Sequence, residues 1–504
     1  MPDSLPSESV PSADSQERSV AGLLGRLGKE SLVYGLLTAA ASFASLLALP
    51  LITSELAPPS YGAVALALVM VGLLVGLSGL GLDFSAARWF YDEDSAAWRS
   101  SVIAVWFWTQ LGVSVLLAAT LAISAPWISA LVGLPGEGTN VLLMAALMIP
   151  LAGVRQVVAG WFRFRREPVR AAVVLGGSTV LSVIGMVTFV VVVPWGAVGA
   201  IFGQVLAGFL VALACIATLG RSISPRNLSA GLFSAMLKFG FPLLPGVLAA
   251  WILTWSDRVI LGILTGGEEV GLYALAASIA FSIGLLTAAI RLAWAPFVYS
   301  LPEDEFSRDV IARGALWVLW VGFFAAAGLS ALAPLVVRLL AAPAYQSAST
   351  ALPALAFSEV TVIMAALFAT GAGIARRPLA ITISVTVAAA LNVGLNFALI
   401  PIFGFNGAAI ATLLAGLVGA VVIYQLSQRL YRISFSTAKF LVIGTCAVAL
   451  AAASQIFADD TVAGISARVA LVATMLFVPF VLGMIHLKDL RYSRRKDSAR
   501  KASG

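Results

Sequence analysis

The chain has 504 residues, of which 60% are hydrophobic and 11% charged, and a formal net charge of +7. Soluble domains carry about 45–50% and about 25% of those classes, so a soluble protein is excluded. The basic excess does not point to nucleic acid either, because nearly all lysines and arginines lie in short loops and the chain ends, where they face anionic lipid headgroups.

Residues 1–16 are rich in Ser, Pro and acid and read as a disordered tail. No basic leader followed by a short apolar core and a cleavage pattern marks a signal peptide. Val20, Leu23, Leu24 and Leu27, interleaved with Arg18, Arg26 and Lys29, predict a short helix lying on the membrane surface. Fourteen apolar stretches follow, at 31–53, 61–82, 101–123, 139–161, 171–193, 196–219, 235–255, 272–298, 314–337, 351–373, 379–400, 405–427, 439–457 and 465–486. Each is near the ~20 residues a spanning helix needs. The connections Ser54–Ser60, Ala125–Gly138, Pro194–Trp195 and Ala458–Gly464 are too short for an extramembrane domain. Trp127 and Trp195 are expected at the outer interface, Trp89 and Trp161 at the inner one. A basic tail, 487–504, closes the chain.

When the turns are numbered alternately, 26 of the 31 lysines and arginines fall in one set together with both termini, and only Arg258 and Arg338 in the other. This is the positive-inside pattern, which places both termini in the cytoplasm of a polytopic inner-membrane protein. Dropping one span would scramble the alternation, so the pattern supports the count.

The apolar sequence also repeats. Pro194–Gly208 resembles Pro401–Gly416, Arg165-Arg166-Glu167-Pro168 matches Arg376-Arg377-Pro378, Gly35 matches Gly240, and Gly62 matches Gly271, all at offsets of about 205–211. Six spans per copy, an even number, predict two lobes of the same orientation: an N-lobe over 31–219, a C-lobe over 220–428, and an extra helix pair over 429–486. The expected fold is therefore all-α and polytopic.

Few groups inside the spans carry chemistry. Arg155 in span 4 and Arg291 in span 8 lie at comparable depth and either face a cleft between the lobes or snorkel to the inner headgroups. Guanidinium in a cleft suits phosphate, because it offers paired donors and stays charged. Glu359, mid-span 10, is costly unless protonated, paired or bound to a cation, and is the candidate for ion coupling; Asp83, at the inner end of span 2, is a second. Asp257 and Arg258 are read as boundary residues at the outer end of span 7, solvated or locally paired. Gly240, Pro242, Pro245 and Gly246 break that span and form a candidate hinge. Asn392, Asn396 and Gln204 either hold helices together or bind sugar. Cys215 and Cys446 read as apolar fillers and His486 as interfacial. No metal-ligand spacing and no nucleotide-binding loop is present, so neither a metal nor another cofactor is expected, nor catalysis by this chain.

Lys238-Phe239-Gly240-Phe241-Pro242, Trp255-Ser256-Asp257-Arg258, Glu269-Val270-Gly271-Leu272-Tyr273 and Leu292-Ala293-Trp294-Ala295-Pro296 together resemble the middle of bacterial polysaccharide biosynthesis proteins, the Wzx-type flippases of the MOP exporter superfamily. Leu56–Gly62, Gly79–Asp83 and Asn406–Thr412 resemble the family's other landmarks. The resemblance implies transfer of undecaprenyl-pyrophosphate-linked oligosaccharide across the membrane by alternating access. Arg155 and Arg291 would neutralise the pyrophosphate, and Arg88 and Lys238 would attract it at the cytoplasmic mouth. The implied partners are membrane lipids, the polyprenyl-linked glycan, and polymerases or glycosyltransferases of the same route. The rivals are a MATE-type drug/cation antiporter, whose coupling relies on carboxylates buried in the N-lobe, where spans 1–6 hold none beyond Asp83 at an end, and a lipid II flippase. A membrane polymerase or ligase would need large periplasmic loops.

Overall fold

In hydrocarbon every backbone N–H and C=O must be bonded within its own segment, so apolar runs of this length fold as helices. A computed structural model describes residues 43–134, 136–302, 304–457, 461–481 and 483, with only the backbone of Arg291, Leu292 and Phe480. The helices are α1 (Phe43–Glu55), α2 (Pro58–Ser78), α3 (Leu82–Trp89), α4 (Ala96–Leu131), α5 (Gly138–Phe164), α6 (Pro168–Val187), α7 (Gly196–Leu219), α8 (Ala230–Gly240) and α9 (Leu244–Thr265). They continue with α10 (Gly267–Tyr299), α11 (Glu305–Ala331), α12 (Ala333–Leu340), α13 (Leu352–Phe368), α14 (Thr370–Ile374), α15 (Leu379–Leu430), α16 (Thr437–Ser454), α17 (Val462–Ala473) and α18 (Val478–Val481). No strand occurs among the described residues.

Eleven of the described helical stretches are long and apolar enough to cross a membrane. One of them, α15, runs 52 residues and doubles back at Gly404, whose φ of 57° and ψ of −139° only glycine adopts readily. At 1.5 Å per residue it is about 78 Å long, more than twice a bilayer core. Its two limbs pair antiparallel, with the Ser384 hydroxyl donating to the Gly419 carbonyl at 2.8 Å. With these two limbs, and with α1 and α17 as shorter apolar segments, the architecture is consistent with the expected fourteen spans. The surface helix at 17–30, His486 and the basic tail lie outside the described residues.

The internal repeat is visible in the backbone. Gly196 (φ 61°) and Gly404 (φ 57°) open equivalent helical segments, and Arg166 (φ 58°) and Arg376 (φ 54°) occupy equivalent turns. Both turns close the same way: the amides of Glu167 and Arg377 donate to carbonyls five residues back, Phe162 and Ala372, at 2.9 Å. In the extra pair, α16 packs on α11 of the C-lobe and α17 on both.

The lobes meet at both ends of the bundle, the end carrying the basic loops and the end opposite. At the opposite end α2 and α10 touch backbone to backbone: a Cβ at Gly62 would lie 2.0 Å from the Gly267 carbonyl oxygen, and one at Gly271 would lie 2.0 Å from that of Pro58. Pro58 and Gly267 are separated by the same 209 positions as Gly62 and Gly271, so the contact maps onto itself when the lobes are exchanged. Around it the Gly267 amide donates to the Gly133 carbonyl (3.3 Å), the Ala342 amide to Thr53 Oγ1 (3.1 Å) and the Tyr345 hydroxyl to the Leu56 carbonyl (2.7 Å). At the basic end α3 packs on α8, with the Ser85 hydroxyl donating to the Met236 carbonyl at 2.6 Å and Gly81 pressed against Gly240.

Span 7 differs from expectation. Its break lies at the short 3₁₀ turn Phe241–Leu243, between Gly240 and Pro245, and α9 then continues to Thr265, ten residues past the expected end at 255. Asp257 and Arg258 are therefore about two turns inside a helix and buried, not solvated at its end. Trp161 is buried at the basic end, where Arg165 lies over its ring, whereas Trp127 and Trp195 are exposed.

The α2–α10 contact carries a prediction. Ala at Gly62 or at Gly271 forces the lobes apart at the opposite end, at the roughly 1–3 kcal/mol that overpacking costs. Each variant is expected to lower the melting temperature of the purified protein, and the double variant to lose less than the sum, because both wedges open one contact. Gly177→Ala, where a Cβ meets open space, is the neutral comparison. Simple additivity of the pair would contradict the shared-contact reading.

Candidate functional site

Between the lobes lies a cavity of about 490 Å³, walled by α1, α2 and α6 of the N-lobe and by α9 and α10 of the C-lobe. Its walls are mostly aliphatic and aromatic, with Tyr61, Trp251, Trp255 and Phe281 among them. The one charged lining residue is Arg258, among the described residues. Its guanidinium is buried at 8% exposure and lies over the rings of Trp255 (4.6 Å) and Tyr273 (5.7 Å). Two of its nitrogens, Nε and Nη1, have no acceptor among the described residues, and neither does the indole nitrogen of Trp251 in the same wall. The cavity is thus an apolar chamber with unpaired N–H donors and no carboxylate lining it among the described residues. Such donors have lost water without gaining a partner, which favours a ligand rich in acceptors.

Behind Arg258 the C-lobe holds a polar network that joins α9, α10 and both limbs of α15. The Asp257 carboxylate accepts from the Tyr273 hydroxyl, from the Arg258 amide at 2.7 Å and from Thr412 Oγ1 at 3.5 Å. Asn392 donates to Thr412 (3.4 Å), while its oxygen accepts from Ser256 (3.4 Å) and from Asn396 Nδ2 (2.9 Å). Asn396 Oδ1 is buried and has no donor among the described residues. One carboxylate, a hydroxyl and two amide oxygens within reach of one another form an oxygen-rich set, which suits a hard cation. No group of three or more His, Cys, Asp or Glu that could hold a metal occurs among the described residues.

The residues singled out from sequence are placed as follows. Arg155 donates to Ser178 Oγ at 2.9 Å, from α5 to α6 inside the N-lobe, and is not among the residues lining the cavity. Arg291 belongs to α10 by its backbone, and its side chain lies outside the described residues. Arg88 is exposed and paired with Asp92 at 2.8 Å; Lys238 is exposed on the last turn of α8. The α3–α8 contact therefore brings Arg88 and Lys238 to one inter-lobe seam. Asp83 sits in the first turn of α3, where burial pushes its carboxyl above the usual carboxylate range against the pull of Arg163. Glu359 is half-buried on α13 with its carboxylate against Gly284 of α10, one turn from the cavity-lining Phe281. Gly240 packs on Gly81, while Gly246 has open space around it.

Sequence reasoning missed Arg258 and Trp251 as cavity donors and Asp257 as the centre of a network. One signal was available. The apolar run Val259–Leu264 directly after the charged pair carries the helix onward, and adjacent opposite charges are what a span can tolerate.

Comparison with known proteins agrees with this architecture. The family model for polysaccharide biosynthesis proteins matches residues 27–301. Succinoglycan biosynthesis transport protein ExoT of Rhizobium meliloti (strain 1021) is 26% identical over 228 residues, 45% of this chain and 44% of that protein. The matches span less than two thirds of the length of the curated relatives. Among solved structures, lipid II flippase MurJ in an inward closed conformation is similar with a TM-score of 0.69 at 14% identity, over 91% of this chain and 99% of that one. An inward-facing multidrug resistance MATE transporter of the MOP superfamily follows at 0.60 and 18%, over 82% and 99%. The chain belongs to the polysaccharide biosynthesis protein family, built on the helical fold of the MurJ and MATE transporters.

Proposed function

We propose that this protein flips an undecaprenyl-pyrophosphate-linked oligosaccharide from the cytoplasmic to the periplasmic leaflet of a bacterial inner membrane, by alternating access between its lobes. The observation that carries the reading is the set of unpaired buried donors on Arg258 and Trp251 in the cavity between lobes. A pyrophosphate supplies acceptors for a guanidinium, and aromatic walls suit the faces of sugar rings. The lipid tail stays in the bilayer throughout. The basic end is the cytoplasmic one by the positive-inside rule, so Arg88 and Lys238 stand at the loading side. Arg155, which turns to Ser178 inside the N-lobe, is not assigned to the head group in this reading.

The Asp257 network is the site for a coupling cation, sodium or a proton, with Glu359 as a second carboxylate one layer from the cavity. A cation bound there neutralises Asp257 next to Arg258 and alters the field in the cavity. The MATE-type reading fits less well, because a drug cation would meet a guanidinium and no carboxylate among the described lining residues. A lipid II flippase moves the same pyrophosphate chemistry, and the substrate that accumulates in cells distinguishes the two.

The test is leaflet-resolved measurement of lipid-linked oligosaccharide in cells lacking the gene. A complete repeat unit is expected to be retained on the cytoplasmic face, to be released by wild type, and to be released at least about tenfold more slowly by Arg258→Gln, the loss of one charge-assisted contact. Accumulation of the peptidoglycan precursor instead would favour the lipid II reading, and unchanged carrier lipids with altered sensitivity to cationic drugs would favour the antiporter.

A second prediction separates binding from folding. Arg258→Gln alone leaves Asp257 without its neighbouring positive charge and is expected to lower the melting temperature. Asp257→Asn with Arg258→Gln restores thermal stability but not transport. Recovery of transport in the double variant would remove Arg258 from substrate binding. For coupling, sodium is expected to raise the melting temperature of wild type and not that of Asp257→Asn; the same shift in both proteins would move the ion elsewhere.

A further inference from the structure

At the basic end of the N-lobe, a second cavity of about 590 Å³ shares no lining residue with the one between the lobes. It is bounded by the loop after α3, the first turn of α4, the turn after α5 and Ser222 beyond α7. Three arginines line it. Arg99 lies over the Phe90 ring at 5.3 Å and Arg165 over the Trp161 ring at 4.7 Å, so both guanidinium planes are fixed by aromatic faces. The third, Arg166, sits in the left-handed region at φ 58°. Glycine is the usual residue there, and an arginine is strained.

Charge is not balanced within the pocket. Of its two carboxylates, Asp94 pairs with Arg99 from a fully exposed position, and Glu167 is divided between Arg165 (3.1 Å) and Arg170 (2.7 Å) outside it. Arg166 forms none of these pairs. Arg99 Nε is buried without an acceptor among the described residues. The first turn of α4, a 36-residue helix, also faces the pocket through Ala96, Arg99 and Ser100, and a helix N-terminus adds partial positive charge.

We infer that this pocket binds a phosphate group at the membrane surface of the basic end, through Arg99, Arg165 and Arg166. The strained Arg166 backbone is consistent with that role, because the turn itself would close equally well around glycine. Two sources present this chemistry there: the headgroup of an anionic phospholipid and a soluble phosphate. Either is distinct from the cargo in the cavity between the lobes, so the inference does not depend on which glycolipid is carried.

Native mass spectrometry of the full-length protein in detergent tests it, with phosphatidylglycerol, phosphatidylcholine and inorganic phosphate as probes. Wild type is expected to retain one phosphatidylglycerol, or one phosphate, about tenfold more tightly than phosphatidylcholine. Arg166→Gly and Arg99→Gln with Arg165→Gln are each expected to remove that preference. Arg166→Gly relieves the left-handed strain, so its melting temperature should equal or exceed that of wild type, which rules out misfolding as the cause. Arg313→Gln, at an exposed side chain of α11 paired with Asp309, should leave binding unchanged. Phosphate that displaces the lipid would identify the soluble source, and lipid retained in excess phosphate the headgroup; both support the site. A well-folded Arg166→Gly protein that binds every probe within about twofold of wild type would overturn it, as would equal loss in Arg313→Gln.

Discussion

The contact between α2 and α10 is backbone on backbone, and the remainder of the molecule is arranged around it. With no hydrophobic drive between helices inside a bilayer, close packing of small residues is what holds spans together. Gly62 and Gly271 bring two helices so near that a single methyl group does not fit on either. The lobes are thereby pinned at the opposite end, while the largely apolar chamber forms where aromatic and aliphatic side chains replace glycine. At the basic end the seam between Gly81 and Gly240 is shorter and depends on one side-chain hydrogen bond from Ser85. A transporter that opens its two ends in turn requires seams of this kind, broad enough to seal yet free of interlocking side chains.

The cavity and the network behind it divide electrostatic labour. Arg258 is held by the faces of Trp255 and Tyr273 and forms no ion pair with Asp257 among the described residues, so its positive field is directed at the chamber. Asp257 is satisfied by Tyr273, Thr412 and the backbone, from elements far apart in sequence. Tyr273 touches both groups, offering its ring to the cation and its hydroxyl to the anion. A change of charge at Asp257 would therefore reach the chamber through one shared side chain.

Hydropathy and the alternation of basic loops made the helical class, the approximate span count and the parallel repeat legible, because each depends on properties averaged over ~20 residues. The repeat held down to backbone angles at Gly196 and Gly404. What averaging hides is direction around a helix. Arg155 and Arg258 both read as charges in or near a span, yet one turns to Ser178 within a lobe and the other lines the chamber. The end of span 7 was misplaced for a related reason: Asp257 and Arg258 lower local hydropathy, while the groups that make their burial tolerable lie on α10 and α15. Arg99, Arg165 and Arg166 read only as topological signals, because the aromatic faces beneath Arg99 and Arg165 come together only in three dimensions.

The α2–α10 contact also bears on how such a chain could arise. A surface in which Gly62 meets Gly267 and Pro58 meets Gly271 is self-complementary, so a six-span half presenting it would pair with a copy of itself in the same orientation. The chain is in that sense a tethered homodimer. The positions 209 before Asp257 and Arg258 are Ala48 and Leu49, both apolar, so the charge has been placed in one half alone. Two halves on one symmetric frame thus line the chamber differently, the N-lobe as apolar wall and the C-lobe with the one charge among the described lining residues.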